Sequence, residues 1–121
     1  MQSVDAERGG DGVRAAKVGG VGSVVATVAS AFALRPEQIR GLRRGSSRAA
    51  FARQVAIYLL HTRLGLSYSA SGALFGRDRT TAAYACRVVE EKREDARIDG
   101  IVDCLERAID NLPGTCRGVA A

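Results

Sequence analysis

The stretch Ser67-Tyr-Ser-Ala-Ser-Gly-Ala-Leu-Phe-Gly-Arg-Asp-Arg-Thr-Thr81 decides the fold. Ser67 can cap a short helix that Gly76 then ends, because serine accepts from free amides and glycine adopts positive φ. Asp78 can cap a second and longer helix directly after this turn. A short helix, a tight glycine turn and a further helix form the outline of a helix-turn-helix.

The sequence on both sides of this stretch predicts four further helices and no strand. Apolar residues recur at intervals of three and four, which is the spacing of amphipathic helices. Pro36 is a favoured first-turn residue, and Gly65 is a natural helix stop. We therefore predict an all-α fold, a compact six-helix bundle that contains the helix-turn-helix. The predicted helices span about residues 23–32, 36–41, 47–64, 68–75, 79–97 and 98–112.

The predicted core consists mainly of small aliphatic residues, since the chain has no Trp, three Phe and three Tyr. Phe75 and the cysteines Cys86 and Cys104 are also expected to be buried. Four helices each present one apolar stripe to this core. The stripes are Val24, Val25, Val28, Ala31 and Phe32; Ala52, Val55, Ala56, Leu59 and Leu60; Ala82, Ala85, Cys86 and Val89; and Ile101, Val102, Leu105 and Ile109.

The chain is expected to hold one small domain. Residues 1–20 contain five glycines and little periodicity, so we predict a disordered leader there. Residues 21–112 form the predicted domain, and residues 113–121 are expected to be a frayed tail. With 121 residues there is little room for a catalytic domain as well, so we expect no enzymatic activity.

Positive charge is concentrated in one part of the chain. Residues 35–63 contain seven arginines against a single acidic residue, Glu37, whereas residues 80–121 contain six basic and eight acidic residues. A basic region beside a mildly acidic one indicates a polyanionic partner that binds one face. Arginine forks match phosphate oxygens and guanine edges particularly well.

The start of the second helix of a helix-turn-helix enters the major groove of DNA. Here that start reads Arg77-Asp-Arg-Thr-Thr81. Arginine can bind guanine O6 and N7, aspartate can accept from the amino group of cytosine, and threonine can contact thymine. An ordinary capped helix with a solvated first turn is the alternative interpretation of these residues.

Several motifs resemble the C-terminal DNA-binding domain of the bacterial replication initiator DnaA. Its signature reads approximately F-G-G-R-D-H-[ST]-T-V-x-x-A, which is similar to Phe75-Gly-Arg-Asp-Arg-Thr-Thr81 followed by Tyr84-Ala-Cys-Arg87. Arg53-Gln-Val-Ala-Ile-Tyr-Leu59 resembles its R-Q-x-A-M-x-L helix, and Leu66-Ser-Tyr68 with Gly72 resembles its S-L-x-x-I-G segment. The resemblance covers about residues 21–112.

The resemblance implies roles for individual residues in double-stranded DNA binding. An arginine of the basic loop, Arg43 or Arg44, would enter the minor groove. Arg53, Gln54 and His61 would hold backbone phosphates. The remaining candidate DNA-binding residues are Arg48, Ser67 and Tyr68, together with the groove-facing Arg77, Asp78, Arg79, Thr80 and Thr81.

The chain also departs from the family pattern. One of the two signature glycines before Arg77 is missing, Arg79 replaces a base-reading histidine, and Ser71 replaces an apolar core residue. We therefore expect a target other than the initiator's usual nine-base-pair box. The geometry of arginine favours a guanine opposite Arg79.

No other chemistry is predicted. The chain lacks the phosphate loop G-x-x-x-x-G-K-[ST] of the initiator's ATPase, so we expect no bound nucleotide. Three cysteines without C-x-x-C spacing and a single histidine do not suggest a metal site, and no cofactor is expected. The sequence has no predicted signal peptide or membrane span, so a cytoplasmic, nucleoid-associated protein is expected.

Three functions remain open. The first is a transcription regulator, for example an activator of a phage-like or gene-transfer-agent cluster, working with a protein partner that contacts RNA polymerase. The second is a replication modulator that competes at initiator boxes. The third is a protein-interaction module whose basic face binds an acidic partner.

Overall fold

The computed structural model describes residues 11–41 and 46–112, with side chains from residue 20 onward within those ranges. This part of the chain contains six α-helices and no strand, which confirms the predicted all-α fold. The helices are α1 (Asp11–Ala31), α2 (Pro36–Arg40), α3 (Ser47–Thr62), α4 (Tyr68–Ala73), α5 (Arg79–Lys92) and α6 (Ala96–Asp110).

The first helix is longer than predicted. It begins at Asp11 rather than near Ser23, so residues 11–20 of the predicted disordered leader are helical. Ser23 lies inside the helix, where its carbonyl oxygen accepts a hydrogen bond of 2.7 Å from the Thr27 hydroxyl. A helix that is already packed can grow at its end without a new nucleation cost, which offsets the low propensity of its glycines. Residues 1–10 and the predicted tail, 113–121, lie outside the described residues.

The third helix lies at the centre of the fold and contacts α1, α2, α4 and α5. Ile57 and Tyr58 are buried in addition to the predicted stripe, because a helix with neighbours on several sides keeps little solvated surface. After this helix Gly65 turns the chain with a φ of 77°. The apolar stripe predicted for α3 is buried at every position: Ala52, Val55, Ala56, Leu59 and Leu60.

The break between α5 and α6 comes earlier than predicted. α5 ends at Lys92, and Asp95 caps α6 by accepting hydrogen bonds from the backbone amides of Arg97 and Ile98. Arg93 fills the turn between the helices and donates to the Tyr58 hydroxyl at 3.1 Å. The guanidinium of Arg93 also pairs with Asp99 at 2.6 Å and with Glu106 at 2.9 Å, which ties this turn to α6 and α3.

Two residues of the predicted core are exposed on α6. Val102, Leu105 and Ile109 face the core as predicted, but Ile101 is 41% exposed and Cys104 is exposed. Val102, Leu105 and Ile109 define the buried stripe by their spacing of three and four residues. Ile101 lies at the edge of this stripe and Cys104 lies farther round the helix, so both reach solvent.

Ala31 and Phe32, which belong to the predicted apolar stripe of the first helix, lie at the edge of the core. Ala31 is exposed, and Phe32 is only partly buried, with its ring edge-on to Phe51 at a centroid distance of 5.8 Å. Phe75 and Cys86 are buried as predicted. None of the described helices combines the length and the apolar character that crossing a membrane would require.

Candidate nucleic-acid interface

The helix-turn-helix is formed by α4, a glycine turn and α5. Ser67 caps α4 by accepting from the Ala70 amide at 3.0 Å. Gly76 then adopts a φ of 68°, which is the left-handed conformation that a tight turn requires of it. The Arg77 amide donates back to the Gly72 carbonyl at 2.9 Å and closes the turn. The local signals of the sequence therefore predict this unit correctly.

The short fourth helix holds the start of α5 in place. Gly72 is buried against the backbone of Arg77 and Asp78, so that the two helices approach closely. Ser71 is fully buried, and its hydroxyl donates to the Ser67 carbonyl at 2.9 Å. A hydrogen-bonded hydroxyl is tolerated in the core, so the serine at this apolar position does not disturb the packing.

Four of the five residues predicted to face the major groove are exposed at the start of α5. Asp78 caps the helix, and its Oδ1 accepts from the Thr81 amide at 2.8 Å. This hydrogen bond lowers the pKa of the Asp78 carboxyl and keeps it ionised. The side chains of Arg79, Thr80 and Thr81 are exposed beside it. The structure thus gathers one anionic, one cationic and two hydroxyl groups on a single exposed turn.

Arg77 differs from its neighbours on this turn. Its side chain is half-buried, and Nη1 donates to the Phe75 carbonyl at 3.0 Å. The guanidinium therefore folds back over the glycine turn. In this conformation it stiffens the turn and leaves part of its fork free for a ligand.

Arg53, which was predicted to hold a backbone phosphate, is buried. Only 8% of the residue is exposed. Its Nε donates to the Ile39 carbonyl at 2.8 Å, and Nη2 donates to the Gly41 carbonyl at 3.3 Å. Burial lowers the pKa of Arg53, and nearby Arg77 lowers it further. The side chain therefore fastens the C-terminal end of α2 to α3, while its neighbour Gln54 is half-buried.

His61 and Tyr68 form a stacked pair between α3 and α4. Their ring centroids are 4.2 Å apart, and the planes differ by 21°. His61 Nδ1 lies 2.7 Å from the Leu66 carbonyl oxygen, which can only accept, so the hydrogen is on Nδ1. Nε2 is then the ring atom left for a ligand, and it can donate to a phosphate only when the imidazole is protonated.

Two of the remaining candidates, Arg48 and Ser67, are exposed. Arg48 is exposed in the first turn of α3, which Ser46 caps by accepting from the Ala49 amide at 3.0 Å. Ser67 is exposed at the start of α4. Arg43 and Arg44, predicted to enter the minor groove, lie outside the described residues.

Two exposed residues of α5 were not among the predicted candidates. Tyr84 is 55% exposed. The guanidinium carbon of Arg87 lies 6.0 Å from the centroid of the Tyr84 ring. Their spacing from Thr80 is the signal that could have identified them, since positions four and seven residues apart share a helix face.

Comparison with known proteins gives a consistent match. The family described as "Bacterial dnaA protein helix-turn-helix" matches residues 21–89. The chain is 38% identical over 74 residues to "Chromosomal replication initiator protein DnaA 2" of Chlamydia muridarum, which covers 61% of this chain and 16% of that protein. It is 36% identical over 87 residues to "Chromosomal replication initiator protein DnaA" of Thermus thermophilus, which covers 70% and 20%.

A third relative matches a shorter stretch. "Chromosomal replication initiator protein DnaA" of Lactococcus lactis is 40% identical over 60 residues, which covers 48% of this chain and 13% of that protein. The chain thus spans a fifth or less of the length of these relatives. The family match extends from α1 through the helix-turn-helix to Val89 in α5, more than half of the chain. On this ground the chain belongs to the bacterial DnaA helix-turn-helix family.

Proposed function

We propose that this chain binds double-stranded DNA in a sequence-specific manner, with the start of α5 in the major groove, and that it regulates transcription. The observation that carries the proposal is the exposed turn of residues 78–81, capped by its own aspartate and held by the buried Gly72. A rigid and exposed helix start is what direct readout of base edges requires.

Within this proposal Arg79 selects a base. Its side chain is exposed, and none of the ion pairs among the described residues includes it. A free guanidinium at a groove-facing position can donate two hydrogen bonds to guanine, worth about 1–3 kcal/mol of discrimination. Thr80 and Thr81 contribute hydroxyl and methyl contacts beside it.

Contacts with the sugar–phosphate backbone come from the basic part of the chain. Arg48 at the start of α3 offers an exposed guanidinium for a phosphate. His61 offers Nε2 when protonated, and Gln54 and Ser67 offer uncharged donors. We keep Arg43 and Arg44 as the residues that enter the minor groove. Arg53 supports this surface from inside, through the Ile39 and Gly41 carbonyls.

A selection from a randomised duplex library tests the base-reading step. We expect the wild-type chain to enrich one motif, and Arg79→Ala to lose the preference at one guanine while retaining the rest. The control is Arg97→Ala, which removes an exposed arginine from α6. An unchanged motif with Arg79→Ala would contradict the assigned role of Arg79, and the absence of any enriched motif with the wild-type chain would contradict sequence-specific binding.

The regulatory role is the finer part of the proposal. It holds that the chain acts on promoters in the cytoplasmic nucleoid, for example in a phage-like or gene-transfer-agent cluster, without catalysing a reaction. A protein partner that contacts RNA polymerase would supply the activation surface. A genome-wide binding map combined with transcript levels after deletion tests this, and promoter-bound sites with changed transcripts are expected.

A replication role is the second candidate, because the matched relatives are named as replication initiators. In that case the chain would compete for or decorate the boxes that an initiator binds. Binding confined to an origin, with unchanged transcripts elsewhere, would favour this role over transcription regulation. Failure to protect any DNA in footprinting at moderate salt would favour the protein-interaction module instead.

A further inference from the structure

The exposed face of α5 extends beyond the turn that carries the groove-facing residues. Thr80, Tyr84 and Arg87 are exposed along one ridge, since their spacing of four and three residues brings them to the same side of the helix. The ridge lies opposite the buried side of α5. That buried side consists of Ala82, Ala85, Cys86 and Val89.

Tyr84 and Arg87 are partnered mainly with each other. Tyr84 has the largest exposed fraction, 55%, among the exposed large hydrophobic residues of the described chain. The Arg87 guanidinium carbon lies 6.0 Å from its ring centroid, a separation at which a cation is attracted to the ring face. None of the ion pairs among the described residues involves Arg87. Its positive charge is therefore available to an external anion.

The charge along this ridge changes sign just after Arg87. Glu91, four residues after Arg87, is exposed on the same side of α5, and a carboxylate repels a phosphate backbone. From Thr80 to Arg87 the helix rises by about 10 Å, at about 1.5 Å per residue. Arg87 is therefore the last exposed cation on this ridge before the carboxylate of Glu91.

We infer that Tyr84 and Arg87 form a second DNA contact, in which Arg87 binds a backbone phosphate flanking the bases read by the start of α5. Tyr84 is the positioning residue of the pair, because its ring holds the guanidinium over the outer face of the helix. The inference rests on the proposed DNA binding and extends it to a phosphate contact outside the first turn. A contact of this kind carries no base preference.

The salt dependence of binding tests the phosphate contact. Binding of a selected duplex and of a scrambled duplex is measured by fluorescence anisotropy over a range of salt concentrations. We expect Arg87→Gln to weaken binding of both duplexes by about fivefold, the upper range for a solvent-exposed ion pair. The slope of log K against log salt should become shallower by about 0.9, the value for one phosphate contact. The enriched motif should stay the same.

Arg97→Gln is the matched control, because it removes the same charge from an exposed position of α6. It should change neither the affinity nor the salt slope appreciably. Equal effects of Arg87→Gln and Arg97→Gln would overturn the inference, since net charge alone would then explain them. If the wild-type chain binds neither duplex, the proposed DNA binding fails together with this inference. If the wild-type chain binds DNA but Arg87→Gln behaves as Arg97→Gln does, only this inference fails.

The DNA binding of Tyr84 variants tests the positioning role of this residue. Tyr84→Phe keeps the ring and should bind as the wild type does, whereas Tyr84→Ala should weaken binding. The double variant Tyr84→Ala, Arg87→Gln should bind no more weakly than Arg87→Gln alone, because the ring acts through the guanidinium. Additive losses would overturn this role. Unchanged thermal unfolding of these surface variants shows that the fold is retained.

Discussion

A Cβ atom on Gly72 would lie 2.9 Å from the carbonyl oxygen of Asp78. It would also lie 3.0 Å from the carbonyl oxygen of Arg77 and 3.1 Å from the Cβ of Ala82. Two of these three atoms belong to the backbone, so no side-chain rotation relieves the contact. The absence of a side chain at residue 72 is therefore what allows α4 to lie against the start of α5.

We predict that Gly72→Ala destabilises the protein and impairs DNA binding. The backbone must move apart, and overpacking of this kind costs about 1–3 kcal/mol. Urea unfolding followed by circular dichroism measures the loss of stability. DNA binding is measured under conditions in which the variant is still folded, and it should remain weaker than that of the wild type because the start of α5 is displaced.

Gly100→Ala is the control for this substitution. Gly100 lies within α6, and a Cβ atom added there would have nothing within 4 Å of it. Alanine in an exposed helix interior is more favourable than glycine, so the control should stabilise the protein by about 0.5–1 kcal/mol. Equal stability of the two alanine variants would contradict the close contact at Gly72.

The second prediction concerns Arg53. Replacing it by Gln should destabilise the protein by about 1–3 kcal/mol, because the Ile39 and Gly41 carbonyls lose their charged donor. Arg53→Lys should recover only part of this loss, since an ammonium cannot reproduce a planar fork with two donors. Thermal and urea unfolding measure both effects.

Arg48→Gln serves as the comparison, since Arg48 is exposed in the first turn of the same helix. Its stability should stay within about 0.5 kcal/mol of the wild type, while its affinity for DNA should fall. If Arg53→Gln is as stable as Arg48→Gln, Arg53 does not fasten α2 to α3.

The third prediction is a pH dependence that originates from Asp78. The Thr81 amide lowers the pKa of the carboxyl in the folded state, so ionised Asp78 favours folding. This stabilisation is fully present above the unfolded-state pKa of about 3.9, and it is lost as the pH falls through the lower folded-state pKa. We expect Asp78→Asn to have a lower melting temperature than the wild type at neutral pH.

The difference between the two proteins should shrink as the pH falls from about 4 through the lower folded-state pKa, because the carboxyl is protonated first in the unfolded chain and then in the folded protein. Asparagine can still cap a helix, so the variant isolates the effect of the charge from that of the hydrogen bond. A melting-temperature difference that stays constant between neutral and acidic pH would refute this assignment.

The helix-turn-helix could be predicted from the sequence because its signals are local. Ser67 and Asp78 are cap residues, and Gly76 is a turn residue whose positive φ few other residues adopt. Each of them acts within a few positions of its own place in the chain. The order of short helix, turn and long helix therefore follows from composition and spacing alone.

The features that the sequence does not predict depend either on tertiary contacts or on a choice among several residues that could each act as a helix cap. Arg53 donates to a carbonyl at Ile39 that only the packed fold brings near. Asp95 is one of several acidic residues in a charged run, and nothing local marks it as the cap of α6. The sequence pattern therefore predicts the break between α5 and α6 too late, and it includes Ile101 in the buried side of α6.

The last prediction concerns the two cysteines of the described chain. Cys86 is buried in α5, and burial raises the pKa of its thiol to about 11, with a further contribution from Glu90. Cys104 is exposed on α6. Because the thiolate is the reactive form, Cys86 should react slowly even where it can be reached.

In a Cys116→Ser background, which removes the third thiol, iodoacetamide at pH 8 should modify Cys104 and leave Cys86 intact, as followed by peptide mass spectrometry. Addition of urea above the unfolding midpoint should make both thiols react at similar rates, because unfolding removes the burial that suppresses the Cys86 thiolate. Gly72→Ala should also speed modification of Cys86, since α5 carries this thiol and is packed less firmly in that variant. Rapid modification of Cys86 in the folded Cys116→Ser protein would show that α5 does not pack against the core as described.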